Sequence, residues 1–288
     1  MRLDPGLVEK GGVRLADEPV ERRQQFGDLL KQDFFPLNVH GDVAHLKHMS
    51  VVNVEPPVLT CRDFFDKDEC DRLVQLALDT RKLQRSRVGG NEDNDEGIRT
   101  STSLAIDTAL LASQPKLKEK VQGLLACIEK MLDILESDKD SNFGKFKHPK
   151  PNKVTFELPQ IARYERGQHF LMHEDAFPYQ VALRKGYQRR ATVLVYLNDV
   201  KEGGETRFDA LDLSIRPERG MALVFFPSFS NGVPDVRTIH TACDAVEEKF
   251  VFQLWISSGL ADPQQKKSNA EANPTKKKKS SGKKGFGK

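Results

Sequence analysis

His173 and Asp175 are the residues of this chain whose types and spacing most directly suggest metal chemistry. They lie two positions apart in the stretch HEDAF. In an extended strand, residues two apart point to the same side with their Cα atoms about 6–7 Å apart, so both side chains could bind one ion while Glu174 points away. Such a pair also arises by chance. A third ligand is therefore needed before the pair indicates a metal site.

His240 is the best candidate for the third ligand. It lies in the stretch VRTIHTAC, just before the last strand-like segment of the chain. Two histidines and one carboxylate on one face of a metal form the facial triad of non-haem Fe(II) oxygenases, and the same ligands can also hold catalytic zinc. The ligands alone thus leave the metal open. We interpret His169, on the same predicted face as His173, as a structural neighbour, because a fourth ligand would close a coordination position.

Lys249 narrows the chemistry further. It begins the segment KFVFQLWIS, and a turn separates it from His240, which predicts that the two residues lie on neighbouring antiparallel strands. Strand alternation predicts one face made of Lys249, Val251, Gln253 and Trp255, and an opposite face made of Phe250, Phe252, Leu254 and Ile256. An unpaired lysine in the interior would cost several kcal/mol. A dicarboxylate co-substrate that chelates the metal at its other end would supply the missing anion.

The elements that must position these residues change along the chain. Two amphipathic helices come first: DKDECDRLVQLALDT, in which Asp66 and Glu69 have capping-box spacing, and a segment from about Pro115 to Leu135. From Val154 onward, short segments rich in β-branched and aromatic residues predict strands, and TVLVYL and ALVFF are apolar on both faces as in interior strands. The predicted fold class is α+β, mainly β, with a sandwich or jelly roll backed by N-terminal helices.

The size and composition fit one globular domain with additional terminal segments. Of the 288 residues, 38% are hydrophobic and 30% are charged, and no apolar run approaches the roughly 18 residues of a membrane span. The N-terminus lacks the apolar core of a secretory signal, and four cysteines without a CxxC pair fit buried thiols (Cys61, Cys70, Cys127 and Cys243). We therefore expect a cytoplasmic or nuclear protein without membrane contact. The predicted organisation is a partly helical N-terminal extension (1–50), a catalytic domain (51–260) and a disordered tail (261–288).

The basic character of the chain lies in its tail. Residues 261–288 contain nine lysines against two acidic residues, a net charge of +7, which leaves −4 for the rest of a chain whose total is +3. The Lys276–Lys279 run fits a nuclear-import signal or a nonspecific nucleic-acid contact. A solvated tail without a specific partner explains it equally well.

From about Val58 to Trp255 the chain resembles the prolyl 4-hydroxylase family of the Fe(II)- and 2-oxoglutarate-dependent dioxygenases. The stretches that carry the resemblance, in order, are FFDKDECDRLV, IRTSTS, ARYERGQHFLMHEDAF, QRRATVLVYLNDVKEGGETRF, PERGMALVFF and RTIHTACDAVEEKFVFQLW. The resemblance implies a double-stranded β-helix, Fe(2+), O2, 2-oxoglutarate as co-substrate and L-ascorbate as reductant. It also implies 4-hydroxylation of proline in a protein or peptide partner, with release of succinate and CO2.

The resemblance assigns a role to nine positions of this chain. The implied iron ligands are His173, Asp175 and His240, and Lys249 is the implied partner of the distal 2-oxoglutarate carboxylate. Tyr164, Thr206 and Trp255 match positions that line the co-substrate pocket. Arg189 and Arg99 match positions on the substrate side, and the glycine-rich segment before IRTS matches a substrate lid.

Three features depart from the family pattern near the substrate side: Arg190, the segment PYQVALRKGYQ and the acidic run NEDNDE. The chemistry therefore transfers better than the identity of the substrate. One alternative is an oxygenase of the same chemistry that acts on another protein side chain, a small molecule or nucleic acid, although nucleic-acid demethylases of the superfamily typically use arginine in place of Lys249. The other alternative is a non-catalytic metal-binding β-sandwich module, which the complete ligand set disfavours.

Overall fold

The computed structural model describes residues 48–53, 56–86, 97–131, 154–229 and 231–260. These residues form mainly β-structure. The strands are β1 (His48–Asn53), β2 (Val58–Arg62), β3 (Gln84–Arg85), β4 (Thr102–Ala105), β5 (Val154–Phe156), β6 (Gln160–Tyr164), β7 (Phe170–His173), β8 (Tyr187–Tyr196), β9 (Thr206–Phe208), β10 (Leu213–Ile215), β11 (Ala222–Phe225), β12 (His240–Ala242) and β13 (Lys249–Gly259). The α-helices are α1 (Lys67–Asp79), α2 (Thr108–Ala112), α3 (Pro115–Met131) and α4 (Tyr179–Lys185).

Several predicted segments lie outside the described residues. These are the tail 261–288, the lid-like segment 87–96 and the N-terminal extension up to residue 47. β1 begins at His48, slightly before the domain start predicted at residue 51. Among the helices that are described, none is both long enough and apolar enough to cross a bilayer.

Two β-sheets pack against each other. The larger sheet has nine strands in the order β1-β2-β11-β8-β13-β6-β4-β3, with β5 also paired to β13, and the smaller has four in the order β10-β9-β12-β7. A buried cluster joins their facing surfaces, with Tyr164 and Val251 from the larger sheet and Phe170 and Phe208 from the smaller. The arrangement is a sandwich of the jelly-roll type, with the space between the sheets available for a site.

α1, α2 and α3 cover the outer face of the larger sheet. Leu73 of α1 and Val121 of α3 belong to the same buried cluster as Phe250 and Phe252 of β13. α1 begins with the predicted capping box, in which the Glu69 amide donates to the Asp66 carboxylate at 2.7 Å and the Asp66 amide donates to Glu69 at 2.8 Å. These contacts confirm the predicted helical backing for α1 and for α3, which is described as far as Met131.

The two faces of β13 pack into different buried clusters, as its alternation predicts. Phe250, Phe252, Leu254 and Ile256 all lie in the cluster shared with the helices. Val251 lies in the cluster between the sheets. β8 and β11 are interior strands, since β8 pairs with β11 and β13 while β11 pairs with β2 and β8. Their apolar character on both faces is explained by burial on both sides.

His240 and Lys249 do not lie on neighbouring strands, so that prediction is wrong. β12 pairs with β7 and β9 in the smaller sheet, whereas β13 pairs with β5, β6 and β8 in the larger. The turn between β12 and β13 carries the chain from one sheet to the other. The two residues consequently approach the same space from opposite sheets.

Candidate active site

The three predicted ligands meet between the sheets. His173 and His240 are direct partners in the antiparallel pair of β7 and β12. The Nε2 atoms of His173 and His240 each lie 3.8 Å from an Asp175 carboxylate oxygen, and the donor atoms all lie within 4.8 Å of one another. β7 ends at His173, so Asp175 lies beyond the strand and not within it as predicted. The chain nevertheless turns the carboxylate toward both imidazoles.

Both imidazoles are oriented by backbone carbonyls. Nδ1 of His173 lies 2.7 Å from the carbonyl oxygen of Leu171, and Nδ1 of His240 lies 3.1 Å from that of Thr238. A carbonyl oxygen can only accept, so each Nδ1 carries a hydrogen, and in the neutral form of the ring Nε2 is the nitrogen whose lone pair faces a metal. Such outer contacts are typical of histidine ligands, whose ring orientation they fix.

Asp175 is buried and ionised. The Thr192 hydroxyl donates to its Oδ2 at 2.7 Å, and Arg189 Nη1 donates to its backbone oxygen at 3.1 Å. Burial alone would raise the pKa of Asp175, but the nearby His240 and His173 hold it below its usual value. Thr192 was not predicted from the sequence. Its only signal is a polar residue at the start of the apolar stretch TVLVYL.

His173 is held in its neutral form. Burial, followed by the proximity of His240, lowers the pKa of His173 to about 3. The Phe170 ring stacks on the His173 ring with centroids 3.4 Å apart and planes 11° apart. A neutral imidazole is the form that ligates metals. Two imidazoles and one carboxylate with open space beside them fit a divalent ion that also binds a second molecule.

Lys249 lies in the same pocket as the three ligands. Its side chain is 1% exposed, its Nζ donates to the Gly204 carbonyl at 2.8 Å, and it lies 4.4 Å from the centroid of the Tyr164 ring. Burial lowers the pKa of Lys249 to about 8. Within the described structure, no carboxylate lies at salt-bridge distance from this ammonium, so it retains donors for an anion in the pocket.

Tyr164, Thr206 and Trp255 all line this pocket, together with the ligands and Lys249. Tyr164 belongs to β6 and pairs directly with Lys249 of β13. Thr206 begins β9 in the facing sheet. The structure thus brings together the seven residues proposed for metal and co-substrate. Their roles toward those ligands stay predictions.

Arg189 lies beside this cluster with its charge already paired. Its guanidinium donates to both carboxylate oxygens of Glu157, at 2.5 and 2.7 Å. It also lies 4.8 Å from the ring centroid of Phe177 and 4.4 Å from that of Trp255. Glu157 was not predicted. The contact of Arg189 with a substrate stays a prediction. Its described hydrogen bond to the Asp175 backbone oxygen instead supports the chain at Asp175.

Arg99 is buried, with 3% of its surface exposed. Its Nε donates to the Ser101 hydroxyl at 3.1 Å, and its guanidinium lies 4.9 Å from the Phe170 ring. Its Nη2 is buried without a hydrogen-bond partner among the described residues. A substrate contact through Arg99 also stays a prediction.

His169 is occupied away from the ligands. Its Nδ1 lies 2.9 Å from Asp244 and its Nε2 lies 2.9 Å from the Gly97 carbonyl oxygen. It is therefore the structural neighbour that we expected and is not a fourth ligand.

Comparison with known proteins identifies the family. The sequence model of the 2OG-Fe(II) oxygenase superfamily matches residues 159–257, which contain the three ligands and Lys249. Prolyl 4-hydroxylase 2 of Arabidopsis thaliana is 31% identical over 250 residues, which cover 79% of this chain and 76% of the relative. The chain belongs to the prolyl 4-hydroxylase family. Probable prolyl 4-hydroxylase 7 of the same plant is 30% identical over 220 residues, 70% of this chain and 62% of that protein.

A solved structure shares the fold. The viral collagen prolyl hydroxylase of Paramecium Bursaria Chlorella virus-1, in complex with 2OG, superposes with a TM-score of 0.52 at 23% identity, covering 70% of this chain and 96% of that chain. Membership of the prolyl 4-hydroxylase family implies Fe(2+), 2-oxoglutarate and O2. The observed donor set fits the ion, because the two Nε2 atoms and the Asp175 carboxylate converge with the Nδ1 atoms already engaged.

Proposed function

We propose that the protein is an Fe(II)- and 2-oxoglutarate-dependent dioxygenase that hydroxylates peptidyl proline at the 4-position and releases succinate and CO2. The proposal includes a double-stranded β-helix as the fold and L-ascorbate as the reductant that sustains turnover. One observation carries it. The cluster of His173, Asp175 and His240 shares a pocket with a buried lysine that has no carboxylate partner among the described residues.

His173, Asp175 and His240 would hold the iron on one face. The carboxylate supplies negative charge, and the two imidazoles supply lone pairs whose direction is fixed by the Leu171 and Thr238 carbonyls. When bound, the iron supplies the redox chemistry that couples oxidation of 2-oxoglutarate by O2 to insertion of one oxygen atom into a substrate C–H bond. The protein contributes binding, orientation and exclusion of water.

Lys249 would bind the distal carboxylate of 2-oxoglutarate. Its ammonium is held by the Gly204 carbonyl and faces the Tyr164 ring, so the position of the charge is set before the co-substrate arrives. A buried charge pair of this kind gains strength from the low local dielectric. Tyr164, Thr206 and Trp255 would complete the walls.

The prolyl substrate is inferred from the family. A relative whose match covers 79% of this chain is named Prolyl 4-hydroxylase 2. We infer a proline-containing protein or peptide as the partner, with Arg189 and Arg99 on its side of the site. Both guanidiniums lie beside aromatic rings, Trp255 and Phe170 respectively, that line the pocket.

The decisive experiment is incubation of the Fe(II)-loaded protein with 2-oxoglutarate, ascorbate and a panel of proline-rich peptides, followed by mass spectrometry. We expect a gain of one oxygen on proline and release of succinate, with 4-hydroxyproline identified after hydrolysis of the peptide. Asp175→Ala should abolish both products because the iron loses the one carboxylate that the protein cluster supplies. Gln75→Ala, an exposed change on α1 that does not touch the pocket lining, should leave both unchanged.

Two results would contradict parts of this proposal. Succinate release stimulated by another compound, without any oxygen gained on proline, would retain the chemistry and replace the substrate. Anaerobic protein that binds Fe(II) but shows no visible charge-transfer band on addition of 2-oxoglutarate would remove the co-substrate and with it the proposed reaction.

A further inference from the structure

A buried hydrogen bond joins the two sheets behind the co-substrate pocket. The hydroxyl of Tyr196, the last residue of β8, lies 2.8 Å from the hydroxyl oxygen of Thr206, the first residue of β9. Tyr196 is 0% exposed and Thr206 is 2% exposed. Thr206 lines the pocket, and Tyr196 lies behind it.

The direction of this hydrogen bond decides what Thr206 offers to the pocket. Each hydroxyl has one hydrogen to donate. If Tyr196 donates, the Thr206 hydrogen is free to point into the pocket. If Thr206 donates, the buried phenolic hydrogen loses its acceptor, which is costly, and Thr206 turns only lone pairs toward the pocket. An anion there would then be repelled.

Other contacts favour donation by Tyr196. Burial raises the pKa of Tyr196, so the phenol keeps its hydrogen at every pH at which the protein is expected to work. Lys249, which approaches the same pocket, is held by the carbonyl of Gly204, two residues before Thr206. A carboxylate that reaches the Lys249 ammonium is therefore brought close to the chain segment that carries Thr206.

We propose that Tyr196 is a positioning residue, which fixes the Thr206 hydroxyl as a hydrogen-bond donor to the distal carboxylate of 2-oxoglutarate. The proposal rests on the proposed function, because it takes 2-oxoglutarate as the ligand of this pocket. It adds a residue that neither contacts the co-substrate nor lines the pocket. Because Thr206 accepts the hydrogen bond from Tyr196, its own hydrogen points into the pocket. Tyr196 thereby favours a carboxylate, which accepts that hydrogen, over a ligand that would donate to Thr206.

The test measures 2-oxoglutarate binding calorimetrically to the Fe(II)-loaded protein under nitrogen, so that no turnover is needed. Thr206→Val should raise the Kd by about tenfold or more, since it removes a hydrogen bond to a charged group. Tyr196→Phe should raise the Kd by about fivefold, since the Thr206 hydroxyl remains but can reorient. Because Tyr196 acts through Thr206, the double variant should bind as weakly as Thr206→Val alone.

Two controls separate positioning from a general loss of structure. Thr206→Ser keeps the hydroxyl and should retain a Kd close to that of the unchanged protein. Gln75→Ala changes an exposed side chain of α1 that does not line the pocket and should leave the Kd unchanged. In turnover with 2-oxoglutarate varied up to saturation, Tyr196→Phe should raise KM for 2-oxoglutarate while kcat stays near its original value.

A second ligand tests the selection of charge. 2-Oxoglutaramate carries a neutral amide in place of the distal carboxylate, and the amide can donate to Thr206 as well as accept. The ratio of its Kd to that of 2-oxoglutarate should fall in Tyr196→Phe, because Thr206 is then free to accept. A purely structural role of Tyr196 would weaken both ligands equally.

Each failure has its own signature. An unchanged Kd in Tyr196→Phe, or losses that add in the double variant, would overturn the role of Tyr196 and leave the proposed function intact. Absence of 2-oxoglutarate binding to the unaltered metal-loaded protein would overturn the proposed function itself. Where Tyr196→Phe alone does not fold, the comparison of Thr206→Val with the double variant decides, and weaker binding by the double variant contradicts the proposal.

Discussion

Asp175 is held by two groups that do not belong to the metal-ligand cluster. Thr192 donates to its carboxylate and Arg189 to its backbone oxygen. Thr192→Val keeps the shape of the side chain and removes the first of these hydrogen bonds. We expect it to weaken metal affinity by about tenfold or more, the range typical of groups that orient metal ligands. Titration with Co(II), followed by its visible absorption, measures the change.

Thr155→Val is the matched control for that substitution. Thr155 is also fully buried on a strand of the larger sheet, but its hydroxyl has no hydrogen-bond partner among the described residues. Its replacement should leave Co(II) affinity unchanged. Equal losses in both variants would show that the Thr192 effect comes from strand packing and not from the hydrogen bond to Asp175.

Lys249 gives the site a pH dependence of known sign. Burial lowers its pKa to about 8, while neighbouring Cys243 and Glu205 favour the charged form. Only the ammonium attracts a dianion, so the Kd for 2-oxoglutarate should be constant below about pH 8 and rise at higher pH. Calorimetry from pH 6.5 to 9 on the metal-loaded protein, with turnover prevented by exclusion of O2, measures this dependence.

Without co-substrate, the contribution of Lys249 to the free energy of unfolding should increase over the pH range in which 2-oxoglutarate binding weakens. The unfolded chain keeps Lys249 protonated up to its ordinary pKa of about 10.4. Between about pH 8 and 10.4 the unfolded chain therefore binds more protons than the folded chain. The free energy of unfolding contributed by this group consequently rises with pH in that range. Lys249→Met should remove the pH dependence of the 2-oxoglutarate Kd and that of the free energy of unfolding. It should also weaken 2-oxoglutarate binding by about 3–5 kcal/mol at neutral pH. A Kd that rises equally above pH 8 in Lys249→Met would assign the effect to another group.

Residues that react were easier to predict than residues that orient them. His173, Asp175, His240 and Lys249 combine unusual types with telling positions in the sequence. Thr192 and Tyr196 look like ordinary members of a buried strand, and only their partners on other strands reveal what they do. Such partners depend on strand pairing, which a single sequence does not specify.

At the level of elements, local signals predicted well and pairings did not. The α1 capping box and the interior strands β8 and β11 follow from contacts within a few residues or from apolar character alone. β9, β10 and β12 are three residues each, too short for a periodic pattern to appear. Proximity in sequence favoured pairing of β12 with β13. The turn between them crosses the sandwich instead, because each strand finds its partners in a different sheet.

One charge pair links the end of β5 to β8 beside β13. Glu157, just after β5, holds the guanidinium of Arg189 of β8 over the Trp255 ring of β13. Glu157→Gln leaves a largely buried guanidinium without its counter-charge. We expect the free energy of unfolding to fall by about 1–3 kcal/mol, as measured by urea denaturation of the metal-free protein.

Glu248→Gln provides the comparison for Glu157→Gln. Glu248, the residue before β13, pairs with Arg163 of β6, but its side chain is 46% exposed. Exposed pairs contribute little, so this variant should lose less than about 1 kcal/mol. Equal destabilisation by the two variants would show that Arg189 gains no special support from Glu157 and is free to serve a substrate.

On the scale of the whole molecule, the charge separates into an acidic body and a basic tail. The described contacts end at Leu260, whose amide donates to the Gly186 carbonyl at 2.9 Å. Deleting 261–288 removes a net charge of +7 and few apolar residues. We expect the thermal midpoint and the hydroxylation of a short proline peptide to stay unchanged, because the ligands and pocket lie within 164–255.

Nucleic-acid retention should distinguish the two interpretations of the tail. A net charge of −4 gives the body no electrostatic reason to bind duplex DNA, so any binding at low salt should be lost on deletion and should weaken steeply with added salt. Replacing the four lysines of Lys276–Lys279 with glutamine should remove part of the DNA binding seen at low salt. DNA binding that survives the deletion would place a nucleic-acid surface on the body and favour a nucleic-acid substrate. Loss of peptide hydroxylation on deletion would instead show that the tail helps to engage the peptide.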